Sequence, residues 1–237
     1  MATIWTLAST KGGCGKTTLA MILASEIIRN GANVTLIDTD PNQPLSKIAQ
    51  MGNFPDTLEV VSDTDSSGTA LVQFIEAQKE RPGFVIIDTE GTENIRAGLA
   101  MQMADLVIIP SKWSGLDKDE ALKVVHHLNV AQTATGRAID AVIVPSQVET
   151  TFETANTRQV RAELETSGIR VIDPPVLNKD AYRAMFSQGC LLHDTQVSPK
   201  SKSLLSARAN AEAVARTIAF ASNDAAKARM QKTSESA

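Results

Sequence analysis

Aromatic residues are scarce in this 237-residue chain, with two Trp, one Tyr and six Phe. Its core must therefore be built mostly from aliphatic side chains. There are only two cysteines, Cys14 and Cys190, and their spacing fits neither a metal site nor a disulfide framework. His126, His127 and His193 have no ligand spacing with cysteine or with one another, and read as ordinary surface or core residues. A basic excess is also missing: 23 Lys and Arg stand against 27 Asp and Glu, a formal net charge of −4. That excludes a chain that is basic overall, though not a local basic patch. Long apolar runs are absent as well. The longest, such as Val85–Ile87 and Leu106–Ile109, are strand-sized, far short of the ~20 residues of a membrane span. The first residues carry neither a basic region nor a long apolar one, so no secretory signal is expected. A cysteine inside a Gly-rich loop agrees with a reducing compartment, and the expected localisation is cytoplasmic.

What is present is ordinary globular composition, 43% hydrophobic and 21% charged, which excludes disorder of the whole chain. Short apolar runs alternate with longer amphipathic stretches. Strands are expected at Ile4–Ala8, Val34–Ile37, Leu58–Val61, Phe84–Ile87, Asp105–Ile109, Ile139–Val144 and Ile169–Ile172. Pro110 and Pro145 are expected to stop the fifth and sixth. Helices are expected at Lys16–Arg29, Thr69–Lys79, Asn94–Met103, Lys118–Ala134, Phe152–Thr166, Asp180–Gln188 and Ser203–Ser222. The polar run Asp63–Gly68 reads as a loop. Strands alternating with helices predict an α/β fold, a mainly parallel twisted sheet with helices on both faces. One domain is expected over residues 1–222. Residues 223–237, with few large apolar side chains, are expected to form a flexible tail.

Thr10–Thr18 reads TKGGCGKTT. It follows an expected strand and opens an expected helix, the context of a phosphate-binding loop. Gly12, Gly13 and Gly15 let the backbone curl and aim several N–H groups, with that of Cys14, at one anion. The helix N-terminus adds its positive end. Lys16 is placed to reach the β- and γ-phosphates of ATP, and the Thr17 hydroxyl to bind Mg²⁺, with Thr18 beside it. The usual first Gly of the loop is Thr10 here, and an extra lysine, Lys11, follows it. A second lysine on a phosphate already held by Lys16 meets like-charge crowding. Lys11 is better placed to reach the nucleotide of a second subunit, in the manner of an arginine finger.

Two further segments deliver carboxylates to the carboxyl ends of strands, where ligands bind in open α/β sheets. VTLIDTDP presents Asp38 and Asp40, and FVIIDTEG presents Asp88, Glu90 and Gly91. Four apolar residues before Asp88 form a Walker B pattern, in which the Asp holds water of the Mg²⁺ shell. The Gly91 N–H is a candidate γ-phosphate sensor, and Glu90 a rival to Asp40 as the carboxylate that positions water. Trp113, in SKWSGLD, reads as loop packing ahead of interface or base stacking. Basic residues gather late, at Lys200, Lys202, Arg208, Arg216, Lys227, Arg229 and Lys232.

The loop K-G-G-x-G-K-T-T resembles that of the deviant Walker A ATPases, the ParA/MinD family. The likeness extends in element order from about Ala2 to Ser222. It implies a P-loop NTPase fold, ATP and Mg²⁺ as cofactors, slow intrinsic ATP hydrolysis and a homodimer in the ATP state. By the resemblance Asp40 positions the attacking water, Asp38 supports the metal region, and Lys11 acts in trans. Departures are Thr89-Glu90-Gly91, where many members have prolines, and Leu177-Asn178-Lys179, where an arginine-rich lead is usual. Adenine contacts are expected around Pro145-Ser146-Gln147 and Pro174–Gly189. The resemblance further implies non-specific DNA binding through late basic residues (Lys200, Lys202, Arg208, Arg216), association with the nucleoid when ATP-bound, and a stimulating partner of the ParB-like or relaxase type. Short plasmid-partition ATPases and accessory ATPases of conjugative transfer are the nearest in kind, since the loop begins too early for an N-terminal DNA-reading domain. A MinD-like membrane role needs a C-terminal amphipathic helix, and residues 225–237 offer one large apolar residue, Met230, so no membrane is expected. Other cargo, or a metabolic ATP-dependent ligase on the same fold, is the remaining alternative.

Overall fold

A computed structural model describes residues 1–52, 54–91, 94–149, 154–194 and 202–235. Seven strands form one sheet in the order β3-β2-β4-β1-β5-β6-β7, and every pairing is parallel. They are β1 (Ala2–Leu7), β2 (Val34–Asp38), β3 (Leu58–Ser62), β4 (Gly83–Asp88), β5 (Leu106–Ser111), β6 (Ala141–Pro145) and β7 (Arg170–Val171). The helices are α1 (Lys16–Arg29), α2 (Pro44–Ala49), α3 (Thr69–Lys79), α4 (Ile95–Met103), α5 (Gly115–Thr135), α6 (Ala155–Glu165), α7 (Asp180–Gln188) and α8 (Lys202–Glu235).

Alternation along the strands explains the layers, because successive side chains point to opposite faces. Ile86, Leu106 and Ile108 join the core beneath α1, α7 and α8. Val107 and Ile109 pack under α5 and α6, while Val85 and Ile87 pack under α3 and α4. Both faces are covered, so the strands read as continuous apolar runs. The chain departs from β1 toward β2–β4 on one side and returns to β5–β7 on the other. The loop after β1 therefore opens at the crevice where ligands bind such sheets.

Three features depart from the sequence-based expectations. Pro110 and Pro145 do not stop their strands. They sit in β5 and β6, with Pro110 opposite Val144 and Ser111 opposite Pro145, at the strand ends where a missing N–H costs least. A short helix, α2, follows β2 where no helix was expected. It begins with a proline at its first turn. Residues 223–235 continue α8 instead of forming a frayed tail. Ala225, Ala226 and Ala228 are strong helix formers. Arg229 pins the segment to the sheet by donating to the Asp105 carbonyl at 3.0 Å and the Asp140 carboxylate at 2.6 Å. Two turns earlier the Trp5 indole donates to Ser222 Oγ at 3.0 Å, tying β1 to α8. The expected helix start at Phe152 lies outside the described residues; α6 is seen from Ala155.

Candidate nucleotide-binding site

The loop after β1 curls because Gly13 and Gly15 take positive φ, 79° and 99°. A Cβ at either position would force a left-handed conformation that side chains resist. Gly15 caps α1, so the first amides of that helix face the loop. Gly12 and Gly13 are exposed at its rim, and Cys14 is buried, anchored through its carbonyl by the Ser146 hydroxyl at 2.6 Å. Gln147 Nε2 donates to the Gly13 carbonyl at 3.1 Å. The tip of β6 thus braces the glycine loop.

Lys16 is 7% exposed. Its ammonium donates to Ser9 Oγ at 2.7 Å and to the Glu90 carbonyl at 3.2 Å. A buried ammonium held by two neutral oxygens is short of negative charge, and polyphosphate would supply it. Gly91 packs against the same loop: a Cβ there would lie 3.6 Å from the Thr10 carbonyl. Thr17 Oγ1 donates to Asp88 Oδ2 at 2.6 Å. Asp88 is 1% exposed, and its Oδ1 is buried without a hydrogen-bond partner. Burial pushes the Asp88 carboxyl up to about 7, against the opposing effects of the Thr17 hydrogen bond and the Lys16 charge.

A hydroxyl beside a buried carboxylate oxygen with a vacant lone pair is a fitting donor set for Mg²⁺, which favours hard oxygens and keeps several waters. Among the described residues no cluster of three or more His, Cys, Asp or Glu could hold a metal unaided.

Burial also sets a pH dependence. An Asp with a raised folded pKa favours folding at low pH. That advantage fades as pH rises from the unfolded value, near 4, through about 7. Nucleotide-free protein is therefore expected to lose thermal stability between about pH 4 and 7. Asp88→Asn should flatten the part of that loss belonging to this site. Parallel slopes for the two proteins in pH-dependent melting would contradict it.

Asp38 and Asp40 divide their work. Asp38 is fully buried and pairs in register with Asp88 on β4. Its Oδ2 accepts from Leu45 N at 2.8 Å and Ser46 N at 3.2 Å, and Oδ1 accepts from Asp40 N at 3.2 Å. Both oxygens are thus committed to the backbone that starts α2. Asp38, expected to support the metal region, thus spends its oxygens on amides, while Thr17 and Asp88 meet directly beside it. Desolvation raises the Asp38 pKa, and these amides oppose the shift. Asp40 is half-buried, with Oδ1 accepting from the backbone and side-chain nitrogens of Asn42 at 2.8 and 3.0 Å.

Lys11 lies on the outside of the loop. Its ammonium pairs with Asp117 Oδ1 at 3.0 Å, on the first turn of α5. The neighbouring Thr10 hydroxyl bonds the Glu120 carboxylate one turn on. Ser114 and Asp117 form a reciprocal cap of α5, and the S-x-x-D pattern Ser114–Asp117 was its sequence signal. Ser9 also went unread: nothing distinguishes one serine after a strand until Lys16 folds back on it. Trp113 packs on the core beneath α5, as expected.

A cleft of about 230 Å³ opens beside the loop. Gly15, Thr18, Ser146, Gln147, Asn178 and Tyr182 are among its lining residues. Gly15 and Thr18 come from the loop and α1, and the other four from the two segments where adenine contacts were expected.

The basic residues of α8 separate into free and committed ones. Lys202, Arg216 and Lys227 are exposed. Arg208 is half-buried, and its guanidinium donates to the His193 carbonyl at 2.8 Å, which anchors the chain ahead of α8. Arg229 is tied to Asp105 and Asp140. Lys200 lies outside the described residues, as does the side chain of Lys232.

A parallel sheet with a glycine loop after its central strand, a buried loop lysine and a Thr–Asp cation site defines a P-loop nucleotide-binding protein. The two lysines of the loop place it in the deviant Walker A class. The chain belongs to the VirC1 protein family, whose model matches residues 1–227, within the ParA/VirC1-type partition ATPases. It is 32% identical over 212 residues to Protein ParA of Rhizobium radiobacter, covering 90% of this chain and 94% of that one. It is 28% identical over 190 residues to Protein virC1 of the same organism, covering 78% and 81%. In fold it is similar to the ATP complex of a McdA variant from Cyanothece, with a TM-score of 0.72 at 15% identity over 92% of this chain and 96% of that one.

Proposed function

We propose that this chain is an Mg²⁺-dependent ATPase that dimerises around ATP and, as a dimer, binds DNA without sequence preference. A partner of the ParB-like or relaxase type then stimulates hydrolysis and release. The observation that carries this reading is the division of the two loop lysines. Lys16 fills the inside of the loop, and Lys11 stands outside it, 41% exposed. One protomer has no second phosphate position for Lys11, whereas a facing protomer would offer one.

In this reading Gly12, Gly13, Cys14 and Gly15 wrap the phosphates with their amides. Lys16 leaves Ser9 and the Glu90 carbonyl for the β- and γ-phosphates, and Thr18 borders the base pocket. Thr17 and Asp88 would hold Mg²⁺, which neutralises charge developing on the phosphates. Gly91, packed on the loop, couples the γ-phosphate to the segment after β4. Asp40 orients the attacking water from the carboxyl end of β2. Lys11 completes the partner's site, which makes turnover slow in a lone protomer. Residues 1–222 form the ATPase domain, and the end of α8 extends from it.

Lys202 and Arg216, exposed on α8, are the DNA contacts this reading retains. Arg208, half-buried and bonded to the His193 carbonyl, is less free to reach a phosphate than these two. No helix among the described residues is long and apolar enough to cross a membrane. Met230 is the one large apolar residue at the end of α8, which favours DNA over a lipid surface as the cargo track. We place the protein in the cytoplasm, on the nucleoid when ATP-bound.

The test is binding to a non-specific duplex with ATP, with ADP and without nucleotide, across a salt series. Binding is expected only with ATP, and about four phosphate contacts would weaken it about a hundredfold between roughly 50 and 200 mM salt. Binding that ignores nucleotide, or no binding while ATP is still held, would refute the DNA assignment.

A further inference from the structure

We infer that Asp117 is a positioning residue: it holds Lys11 against its own protomer and so restrains dimerisation until nucleotide arrives. The inference rests on the proposed trans role of Lys11. The Lys11 ammonium lies 3.0 Å from Asp117 Oδ1, and Asp117 is only 12% exposed while Lys11 is 41% exposed. The acceptor is therefore the fixed member and the lysine the movable one. Asp117 is fixed because it belongs to the cap of α5, where its backbone N–H donates to Ser114 Oγ at 3.1 Å. A second tie from the same helix face, Thr10 to Glu120, holds the adjoining residue. Loop and helix are 110 residues apart in sequence at that contact, so it belongs to tertiary structure and not to a local turn.

The latch also connects to the phosphate site through a chain of hydrogen bonds. Lys16 Nζ donates to Ser9 Oγ, and Ser9 Oγ donates to the Lys11 carbonyl at 2.7 Å. Cys14 Sγ lies 3.8 Å from that carbonyl. Drawing Lys16 onto phosphate removes the donor to Ser9, and the serine that fixes the Lys11 backbone loses its own anchor. An ammonium on a flexible stem then has two competing anions, its own Asp117 and the phosphates of a facing protomer. Dimerisation must break one Lys11–Asp117 pair in each protomer.

The experiment uses the full chain and its Asp117→Asn variant, which keeps the shape and the backbone cap of α5. An exposed-edge ion pair shifts an equilibrium by a factor of about two to five. Two break per dimer, so the ATP-state dimer Kd from analytical ultracentrifugation should fall about four- to 25-fold in the variant. Lys11 acetylation by a soluble acylating reagent, read by mass spectrometry on nucleotide-free protein, should quicken about two- to fivefold. Asp117→Glu should restore both values toward wild type. A merely structural role would lower the melting temperature without quickening Lys11 acetylation, and would overturn the latch. Dimerisation with an unchanged or raised Kd overturns it too and leaves the trans reading standing. If both proteins stay monomeric with ATP, the trans reading itself fails, and the latch with it.

Discussion

Lys16→Ala is expected to weaken ATP binding by at least about a hundredfold, measured by calorimetry or a fluorescent nucleotide. Removing one partner of a desolvated charge pair typically costs about 2–5 kcal/mol, and about 2.7 kcal/mol is a hundredfold in Kd. Lys16 is 7% exposed, so water cannot replace it at the phosphates. The fold should persist, because the ammonium meets only Ser9 and the Glu90 carbonyl, and both can be solvated once the chain is shortened. Lys11→Ala sets the contrast. Its side chain is outside the loop, so nucleotide binding by one protomer should survive while dimer-dependent turnover is lost. Full turnover by Lys11→Ala would remove the trans contact from the mechanism. Equal affinity of the Lys16→Ala and wild-type proteins would remove the phosphate loop itself.

Asp40→Ala is expected to lower turnover by about a hundredfold or more, in the range attributed to a positioned base or water-orienting group. Affinity for ATP should be nearly unchanged, because no loop amide or cation ligand is touched. The ATP-bound dimer should therefore accumulate, seen as a stable species by light scattering and as prolonged retention on DNA. The proposal gives this effect to Asp40 because it is half-buried and Asn42 engages one of its oxygens, Oδ1. Asp38, one residue pair earlier, is buried with both oxygens bound to amides. Its loss should instead disturb the start of α2 and the folding of the whole crevice. Glu90 is the competing carboxylate. It lies 3.8 Å from the guanidinium of Arg96, a contact that draws it toward α4. If Asp40→Ala hydrolyses normally and Glu90→Ala does not, the roles are exchanged.

The amino-acid sequence alone determined those parts of the protein that depend on residues close together in the chain. The periodicity of Lys16–Arg29, Thr69–Lys79 and Asp180–Gln188 marks three helices whose ends match the structure. Apolar runs ending in Asp38 and Asp88 mark two neighbouring strands. The glycine loop is legible because its chemistry is local: a tight backbone curl, a helix start and a lysine within a few residues. Composition misled at the end of the chain, where residues 223–235 lack large apolar side chains. The helix preference of Ala225, Ala226 and Ala228 is local; what local sequence did not show is that Arg229 would meet two distant acids.

Tertiary structure decided what distant residues do to one another. Asp38 and Asp40 look alike in VTLIDTDP. Only the return of the chain through α2 consumes both oxygens of the first and leaves the second half-free. Arg208 and Arg216 look alike on α8, but the His193 carbonyl takes one and solvent keeps the other. Ser9 and Asp117 carried no motif for phosphate chemistry, yet they set where the two loop lysines rest. The physical reason is the same in each case. A charged or polar side chain is committed by whichever partner the fold brings to it, whether a few residues on, as Leu45 N for Asp38, or across the molecule, as Asp117 for Lys11.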